Sequence, residues 1–385
     1  MLISYGAKNF FCFKEWVEVS LAFNSNVPIE ISRDEPAART LCFKGANASG
    51  KTNAIKILSF LSYFCTNSFL RKPDDEIPIE TFFENTDPTE FTVTFQIDDI
   101  EYTYELVLNK EKVIDEKIFK KSARQTLVFH RSNEDIVVNS LFDTSKEIGI
   151  RKNASIISTT RQYELPETLP FYSFFSKIRT NVGHFGLSEN QLTHNQASEF
   201  YGKNKNFLEF TKKYLNKFDT GIRDIEIVDF TYESKETVFF PLFKYKVGDK
   251  SNSLLYLGQS SGTKSLYLFL IQYKLALDNG GILALDEFDI NLHPDILPHL
   301  VNLFENTETN PLHAQLIFST HNNDIIEDMG KYKIYLFNKE NNECYGYRLD
   351  EIPGNVIRND RPILPIYRSG KIGGIPRKTV INEQV

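Results

Sequence analysis

The fold of this chain is decided by residues 45–52, which read Gly45-Ala46-Asn47-Ala48-Ser49-Gly50-Lys51-Thr52. They match the pattern GxxxxGK[ST], and they follow an apolar run at 41–43 and precede a segment with helical spacing of apolar residues. A strand, a glycine loop and a helix in this order are typical of a phosphate-binding loop. The glycines let the backbone curl so that its N–H groups, together with the helix N-terminus, face phosphate oxygens. A chance glycine turn is the alternative, and the flanking elements argue against it.

Each part of this loop has an expected task. Lys51 is expected to reach the β- and γ-phosphates of ATP, and the Thr52 hydroxyl is expected to hold Mg²⁺. ATP and Mg²⁺ are therefore the predicted cofactors. The loop residues predicted to bind the nucleotide are Gly45, Asn47, Ser49, Gly50, Lys51 and Thr52.

A second segment, Ile282-Leu283-Ala284-Leu285-Asp286-Glu287, places two acids directly after four apolar residues. Such a run indicates a buried strand of a mostly parallel sheet, and ligands bind at the carboxyl ends of those strands. Asp286 is expected to hold Mg²⁺ through water, and Glu287 is expected to polarise the attacking water. Two acids that merely end a strand in solvent are an equally good reading of this segment alone. The phosphate-binding loop favours a site.

A third segment, LGQSSGT at 257–263, precedes a predicted helix at 263–277 and lies shortly before Asp286. Ser261 and Gly262 would offer a hydroxyl, free N–H groups and the helix dipole to an anion. An ordinary N-cap formed by Ser260 or Ser261 is the alternative. The order and spacing of the segments favour binding of a terminal phosphate. Because such a loop usually does not face its own phosphate-binding loop, that phosphate would be held by a second copy of the chain.

Two histidines lie shortly after such a feature, one after the two acids and one after a predicted strand. His321 comes after an apolar strand at 315–318, where it is expected to donate to the γ-phosphate and to position water; a plain loop residue is the alternative. His293 lies in the segment 291–294, directly after the two acids, where contact with a second copy is expected. The other five histidines have no ligand-like spacing and are interpreted as structural: His130, His184, His194, His299 and His313.

Composition limits the class of protein. The chain has 385 residues, of which 41% are hydrophobic and 25% are charged, so it can bury a large core. A net charge of −7 argues against a protein whose main task is to coat nucleic acid. The four cysteines show no CxxC pairing, and neither a signal peptide nor an apolar run of membrane-spanning length is visible. We therefore expect a cytoplasmic protein with no membrane partner.

The segments resemble a known family. Taken in order, the phosphate-binding loop, Ser-Ser-Gly-Thr, Leu-Asp-Glu, Asn-Leu-His-Pro and Ser-Thr-His look like the RecF/SMC/OLD branch of the ABC ATPases, and the opening NFFCFK at 9–14 is typical of that branch. The tail YRSGKIGGIP at 367–376 is similar to that of the compact AAA-type ATPases of bacterial anti-phage and abortive-infection systems, such as PARIS and Septu. Two features depart from the family. The Ser-Ser-Gly-Thr segment lacks a second glycine, and the Q-loop glutamine is not evident; Gln96 is a candidate, with a hairpin residue as its equal alternative.

The resemblance implies a fold and a division of the chain. We expect an α/β P-loop NTPase with an ABC-type ATPase head, whose mixed sheet is joined by an antiparallel β lobe and a short helical insertion. Alternating apolar residues at 91–108 predict a hairpin of that lobe. The expected units are an N-terminal ATPase lobe at 1–160, a helical insertion at 161–224, a C-terminal ATPase lobe at 225–350 and a basic tail at 351–385.

The resemblance also implies partners. Two copies would meet head to tail and hydrolyse ATP between them, as a homodimer or a higher homo-oligomer. The chain would be the sensor or regulatory subunit of an anti-phage defence system, answering a phage-derived trigger and controlling a separate toxin or nuclease. No nuclease is expected in the chain itself. The alternative is a RecF-like DNA-repair ATPase whose ATP-closed dimer clamps DNA.

The basic tail has two readings, an arm that docks a partner or nucleic acid and a solvated, poorly packed end. Its cations are Arg358, Arg361, Arg368, Lys371, Arg377 and Lys378.

Overall fold

The computed structural model describes residues 1–141, 149–184, 186–187, 192–218, 221–231, 237–354, 356–358 and 361–376. The described chain is an α/β fold with a mixed central sheet and a separate antiparallel sheet, which confirms the predicted fold class. The strands are β1 (Leu2–Lys8), β2 (Val17–Ser20), β3 (Thr40–Gly45), β4 (Thr89–Ile97), β5 (Ile100–Leu108), β6 (Val113–Lys121), β7 (Gln125–Ser132), β8 (Asp135–Asn139), β9 (Ile178–Thr180), β10 (Val182–Gly183), β11 (Gly186–Leu187), β12 (Ile222–Thr231), β13 (Thr237–Val247), β14 (Lys250–Leu255), β15 (Ile282–Leu285), β16 (Gln315–Ser319), β17 (Ile334–Glu340) and β18 (Glu343–Arg348). The helices are α1 (Ile29–Ser32), α2 (Lys51–Asn67), α3 (Ile156–Gln162), α4 (Leu169–Ser176), α5 (His194–Lys203), α6 (Lys205–Lys217), α7 (Ser261–Asn279), α8 (Ile296–Glu305), α9 (Ile325–Met329) and α10 (Leu364–Arg368).

The central sheet has the strand order β18-β17-β3-β16-β15-β9. Its strands run parallel except β18, which pairs antiparallel with β17 at the edge. Every residue of β3, β15 and β16 is buried, as expected for parallel strands that are covered on both faces. Because neighbouring parallel strands end at the same edge, the loops after β3, β15 and β16 lie side by side.

The antiparallel sheet has the order β2-β1-β4-β5-β6-β7-β8. The predicted hairpin is confirmed: β4 and β5 pair from Thr89 with Leu108 to Ile97 with Ile100. Asp98 and Asp99 form its turn, and both have positive φ, 47° and 62°, which suits the twist of a two-residue hairpin.

Two cores lie on opposite faces of the central sheet, because successive side chains of a strand point to opposite faces. On one face, Leu41 and Phe43 of β3 join α2 and the antiparallel sheet in a single apolar cluster. On the other face, Cys42 joins a cluster built from α7, α8 and strands of the small sheet β12-β13-β14. The helix α2 therefore lies between the two large sheets, with its N-terminus at the loop edge.

The stretch 161–224, predicted as a helical insertion, contains α4, α5 and α6 but also β9. Strand β9 pairs in parallel with β15 and so belongs to the central sheet. The helices α5 and α6 pack on β12, β13 and α7. The domain boundaries themselves stay predictions.

The C-terminal segment 361–376 packs against the central sheet. The Tyr367 side chain is buried, and the Gly374 N–H donates to Asn338 Oδ1 at 2.8 Å. Of the two readings of the tail, the poorly packed end is therefore wrong for this segment. Two of the basic residues lie outside the described residues: Arg377 and Lys378. Among the helices that the structure describes, none combines the length and the apolar character needed to cross a bilayer.

Candidate nucleotide-binding site

The loop 45–52 has the strand and helix that the sequence predicts on either side, because β3 ends at Gly45 and α2 begins at Lys51. Gly50 adopts φ +107°, a conformation that side chains rarely tolerate, and a Cβ there would meet Phe13 and Cys344. A Cβ on Gly45 would lie 2.6 Å from the Phe337 carbonyl oxygen. Both glycines are thus required by backbone conformation or close approach.

The Lys51 ammonium is held at the centre of this loop. It donates to the carbonyl oxygens of Gly45 and Ala46, each at 2.9 Å. Burial lowers the pKa of Lys51, and the carboxylates of Asp286 and Glu287 oppose that effect. The loop therefore holds the Lys51 ammonium close to Asp286 and Glu287, the two acids that follow β15.

Asp286 joins the loops at this edge of the sheet. The Thr52 hydroxyl donates to Asp286 Oδ2 at 2.6 Å, and the Ser319 hydroxyl donates to Oδ1. The Asn181 amide pairs with the Asp286 backbone in both directions, at 2.8 Å each. Asp286 is only 3% exposed, so these contacts fix its carboxylate. A hydroxyl and a carboxylate side by side are hard oxygen donors of the kind that Mg²⁺ prefers.

Ser49 provides a direct test of whether a phosphate chain fits the loop. Its hydroxyl is buried beside Gly45 and has no hydrogen-bond partner among the residues that the structure describes. A buried polar group without a partner is costly, and a phosphate oxygen at the loop would supply one. Asn47 lies exposed at the tip of the loop. The residues present therefore fit ATP and Mg²⁺.

Glu287 follows Asp286 in a strained backbone conformation. Its φ is +48°, which is uncommon for a residue with a side chain, and such strain clusters at functional sites. The Glu287 N–H donates to Ser319 Oγ at 2.8 Å. The Ser319 hydroxyl therefore contacts both acidic residues and fixes the backbone of Glu287, whose side chain is partly exposed.

The segment 257–263 leads into helix α7 and provides its N-cap. Ser260 caps α7, since its Oγ accepts from the Thr263 N–H at 3.1 Å, so the N-cap interpretation is correct for Ser260. Ser261 is the first residue of α7, and its side chain is exposed. A Cβ on Gly262 would lie 2.7 Å from the Asn291 carbonyl oxygen, so glycine is needed where the helix meets the loop 290–293.

His321 and His293 are both exposed, and their predicted roles stay predictions. His321 lies exposed in the loop after β16, next to the loops that carry Lys51 and Asp286. His293 is exposed, and its Nδ1 accepts from the Asp295 N–H at 3.3 Å. The remaining five contact neighbours of ordinary structural kind: His130 with Asp115, His184 with Glu80, His194 with Tyr256, His299 with Phe218 and His313 with Glu35.

Two residues that the sequence analysis did not assign hold Asp286 in place. Ser319 lies two residues before His321, at the end of β16. Asn181 follows β9, a strand of three residues without a periodic pattern, so no sequence signal pointed to it. Gln96 lies in β4, and its amide donates to Asp99 Oδ1 at 3.4 Å, so its hairpin reading is the correct one.

Comparison with known proteins finds one family and a set of solved structures. No curated protein matches the chain. Among solved structures, the chain is similar to the SMC head domain from Thermotoga maritima, with 14% sequence identity, coverage of 90% of this chain and 98% of that chain, and a TM-score of 0.45. The family described as "AAA domain, putative AbiEii toxin, Type IV TA system" matches residues 41–327, which include the phosphate-binding loop, Asp286 and His321. Because this match spans well over half of the 385 residues, the chain belongs to that AAA-domain family.

Proposed function

We propose that the chain is an ABC-type ATPase that binds ATP and Mg²⁺ at loop 45–52 and hydrolyses ATP between two copies of itself. In this proposal it acts as the sensor or regulatory subunit of an anti-phage defence system and controls a separate toxin or nuclease. The single observation that carries the ATPase proposal is the hydrogen bond between Thr52 and Asp286, at 2.6 Å. Lys51 precedes Thr52 in the sequence, and Glu287 follows Asp286.

The chain's own residues divide the work. Lys51 exchanges the loop carbonyls for phosphate oxygens, and the buried Ser49 hydroxyl gains a partner. Thr52 and Asp286 would hold Mg²⁺, which as a Lewis acid would supply positive charge opposite the phosphate oxygens. Glu287 orients the attacking water and takes its proton, while His321 contacts the terminal phosphate.

The second copy supplies Ser261 and Gly262. Their N–H groups lie in the first turn of α7, where a helix has no internal acceptors and carries partial positive charge. Exposed apolar side chains next to these loops support a contact between copies: Leu257 is 75% exposed and Ile290 is 45% exposed. Such side chains beside polar functional loops are typical of an interface.

The Glu287→Gln variant tests the catalytic assignment. It keeps the loop that binds ATP but loses the base, so turnover should fall by about a hundredfold or more while ATP binding persists. In analytical ultracentrifugation with ATP and Mg²⁺, this variant should sediment at twice the mass of the single chain or more. Lys51→Ala is the control that should neither bind ATP nor assemble. Unchanged turnover of Glu287→Gln rejects the base assignment.

The Ser261→Arg variant tests the shared site. It adds bulk and charge to the exposed start of α7, so ATP-dependent assembly and turnover should be lost while each chain still binds ATP. Ser253→Arg, at an exposed position of β14, is the matched control and should assemble normally. Full turnover by a chain that stays monomeric contradicts the shared site.

The defence role is supported by the family, whose description includes a putative toxin of a toxin–antitoxin system. We expect a neighbouring gene whose product is toxic alone and tolerated when this chain is co-expressed. Growth of cells expressing the neighbour with wild type, Lys51→Ala or no partner measures this. A harmless neighbour together with ATP-dependent, salt-sensitive binding of duplex DNA favours the RecF-like clamp instead.

A further inference from the structure

Lys44 is a buried lysine in β3, one residue before the loop that binds phosphate. Its side chain is 2% exposed, whereas lysine is almost never fully buried unless it has partners. The alternation along β3 directs it to the same face as Cys42, away from Leu41 and Phe43. A charge in this position needs hydrogen bonds that compensate for the loss of water.

The partners of Lys44 are the two carbonyl groups on either side of His321. The ammonium donates to Thr320 O at 2.9 Å and to Asn322 O at 3.0 Å. These bonds join the strand that leads into loop 45–52 to the neighbouring loop after β16. Burial lowers the pKa of Lys44, and Asp289 is among the groups that oppose this effect.

The C-terminal segment closes the other side of Lys44. Its Nζ lies 5.9 Å from the centre of the Tyr367 ring, and the Tyr367 hydroxyl donates to Gly374 O at 2.9 Å. The ammonium is thereby kept away from solvent, which strengthens its bonds to the two carbonyls.

His321 itself is exposed, so its position depends on the backbone that carries it. We propose that Lys44 is a positioning residue for His321, whose two flanking carbonyls it holds at a set distance from the phosphate-binding loop. The inference rests on the proposed ATPase function. It adds a rigid connection through which any shift of loop 45–52 on nucleotide binding reaches His321.

Lys44→Met tests this, since it keeps the length of the side chain and removes the donors. We expect kcat to fall roughly ten- to hundredfold, because small misplacements of catalytic groups have effects of that size, while KM for ATP stays unchanged. In the His321→Ala background, Lys44→Met should cause no further loss of kcat. Lys333→Met is the matched control: this lysine is also largely buried, pairs with Glu305 at 2.7 Å, and should lower Tm without lowering kcat.

Three results separate the outcomes. A wild-type kcat for Lys44→Met, or the same loss in both backgrounds, overturns the positioning role. If His321→Ala turns over normally while Glu287→Gln does not, the ATPase proposal stands and the role of Lys44 falls. If the wild-type chain hydrolyses no ATP, the proposed function fails and this inference with it. If circular dichroism shows that Lys44→Met does not fold, Lys44→Gln replaces it in both the wild-type and the His321→Ala backgrounds. Because glutamine retains an amide donor, the expected loss of kcat is smaller.

Discussion

The Ser319 hydroxyl, at the end of β16, is hydrogen-bonded to both Asp286 and Glu287. It donates to the Asp286 carboxylate and accepts from the Glu287 N–H at 2.8 Å. Ser319→Ala should therefore raise the Mg²⁺ concentration needed for half-maximal turnover by about tenfold or more, since partners that orient a metal ligand have effects of this order. Ser62→Ala removes a hydroxyl bonded to Phe175 O and should leave the Mg²⁺ requirement unchanged. The same Mg²⁺ titration curve for Ser319→Ala and wild type contradicts the prediction.

Cys12 is the cysteine that we expect to react first. A hydrogen bond from Cys344 lowers the pKa of the Cys12 thiol, and Asn53 donates a second bond at 3.0 Å. Burial raises the pKa of Cys42 to about 12, and it also raises that of Cys65. Because the thiolate is the reactive form, alkylation of Cys12 by iodoacetamide should rise with pH at a midpoint below that of a free thiol.

Mass spectrometry over a pH series measures this midpoint for Cys12. Cys344→Ala should move the midpoint upward, whereas Cys65→Ala should leave it in place. A Cys12 midpoint at or above that of glutathione argues against the thiol–thiol hydrogen bond.

At the scale of elements, the start of α7 separates stability from function in adjacent serines. Ser260→Ala removes the N-cap and should lower the free energy of unfolding by about 1 kcal/mol. Ser261→Ala changes an exposed side chain and should alter it by no more than about 0.5 kcal/mol, yet it should lower turnover if Ser261 binds the partner's phosphate. Denaturant unfolding and turnover of both variants test this. Equal stability of the two variants would show that Ser260 is not the cap.

At the scale of the whole molecule, a buried ion pair between β6 and β7 is hydrogen-bonded to the start of helix α3. Arg131 Nε lies 2.8 Å from Glu116 Oε2, both side chains are 0% exposed, and the Glu116 carboxylate also accepts from the Ile156 N–H at 3.0 Å. Arg131→Met would leave the carboxylate unpaired in the core and should lower the free energy of unfolding by about 3–5 kcal/mol.

The matched control for this pair is Lys121→Met. It breaks an exposed pair with Glu101 at 2.9 Å and should change the free energy of unfolding by less than about 1 kcal/mol. Urea denaturation of both variants provides the measurement. A similar midpoint for the two variants would contradict the structural importance of the buried pair.

Much of this architecture can be predicted from local sequence patterns. The loop 45–52 needs its glycines at fixed places, and the hairpin of β4 and β5 has strict alternation around Asp98 and Asp99. Strand β15 is a continuous apolar run that two acids follow directly. Each feature depends on a handful of consecutive residues, so the residue types alone determine the local structure. The roles assigned to Glu287, His321 and Ser261 stay predictions.

Only the tertiary structure brought Asn181 and Ser319 to Asp286 and placed Lys44 beneath His321. The residues in contact are 33 positions apart in the sequence for Ser319 and Asp286, 105 for Asn181 and Asp286, and 276 for Lys44 and Thr320. Strand β9 is too short to carry a periodic pattern. In the sequence, Lys44 only interrupts the apolar run of β3, so its position alone does not indicate a function. The order of strands in the sheet decides which loop ends meet. That order follows from burying both faces of all the strands together, a condition that no single segment of the sequence contains.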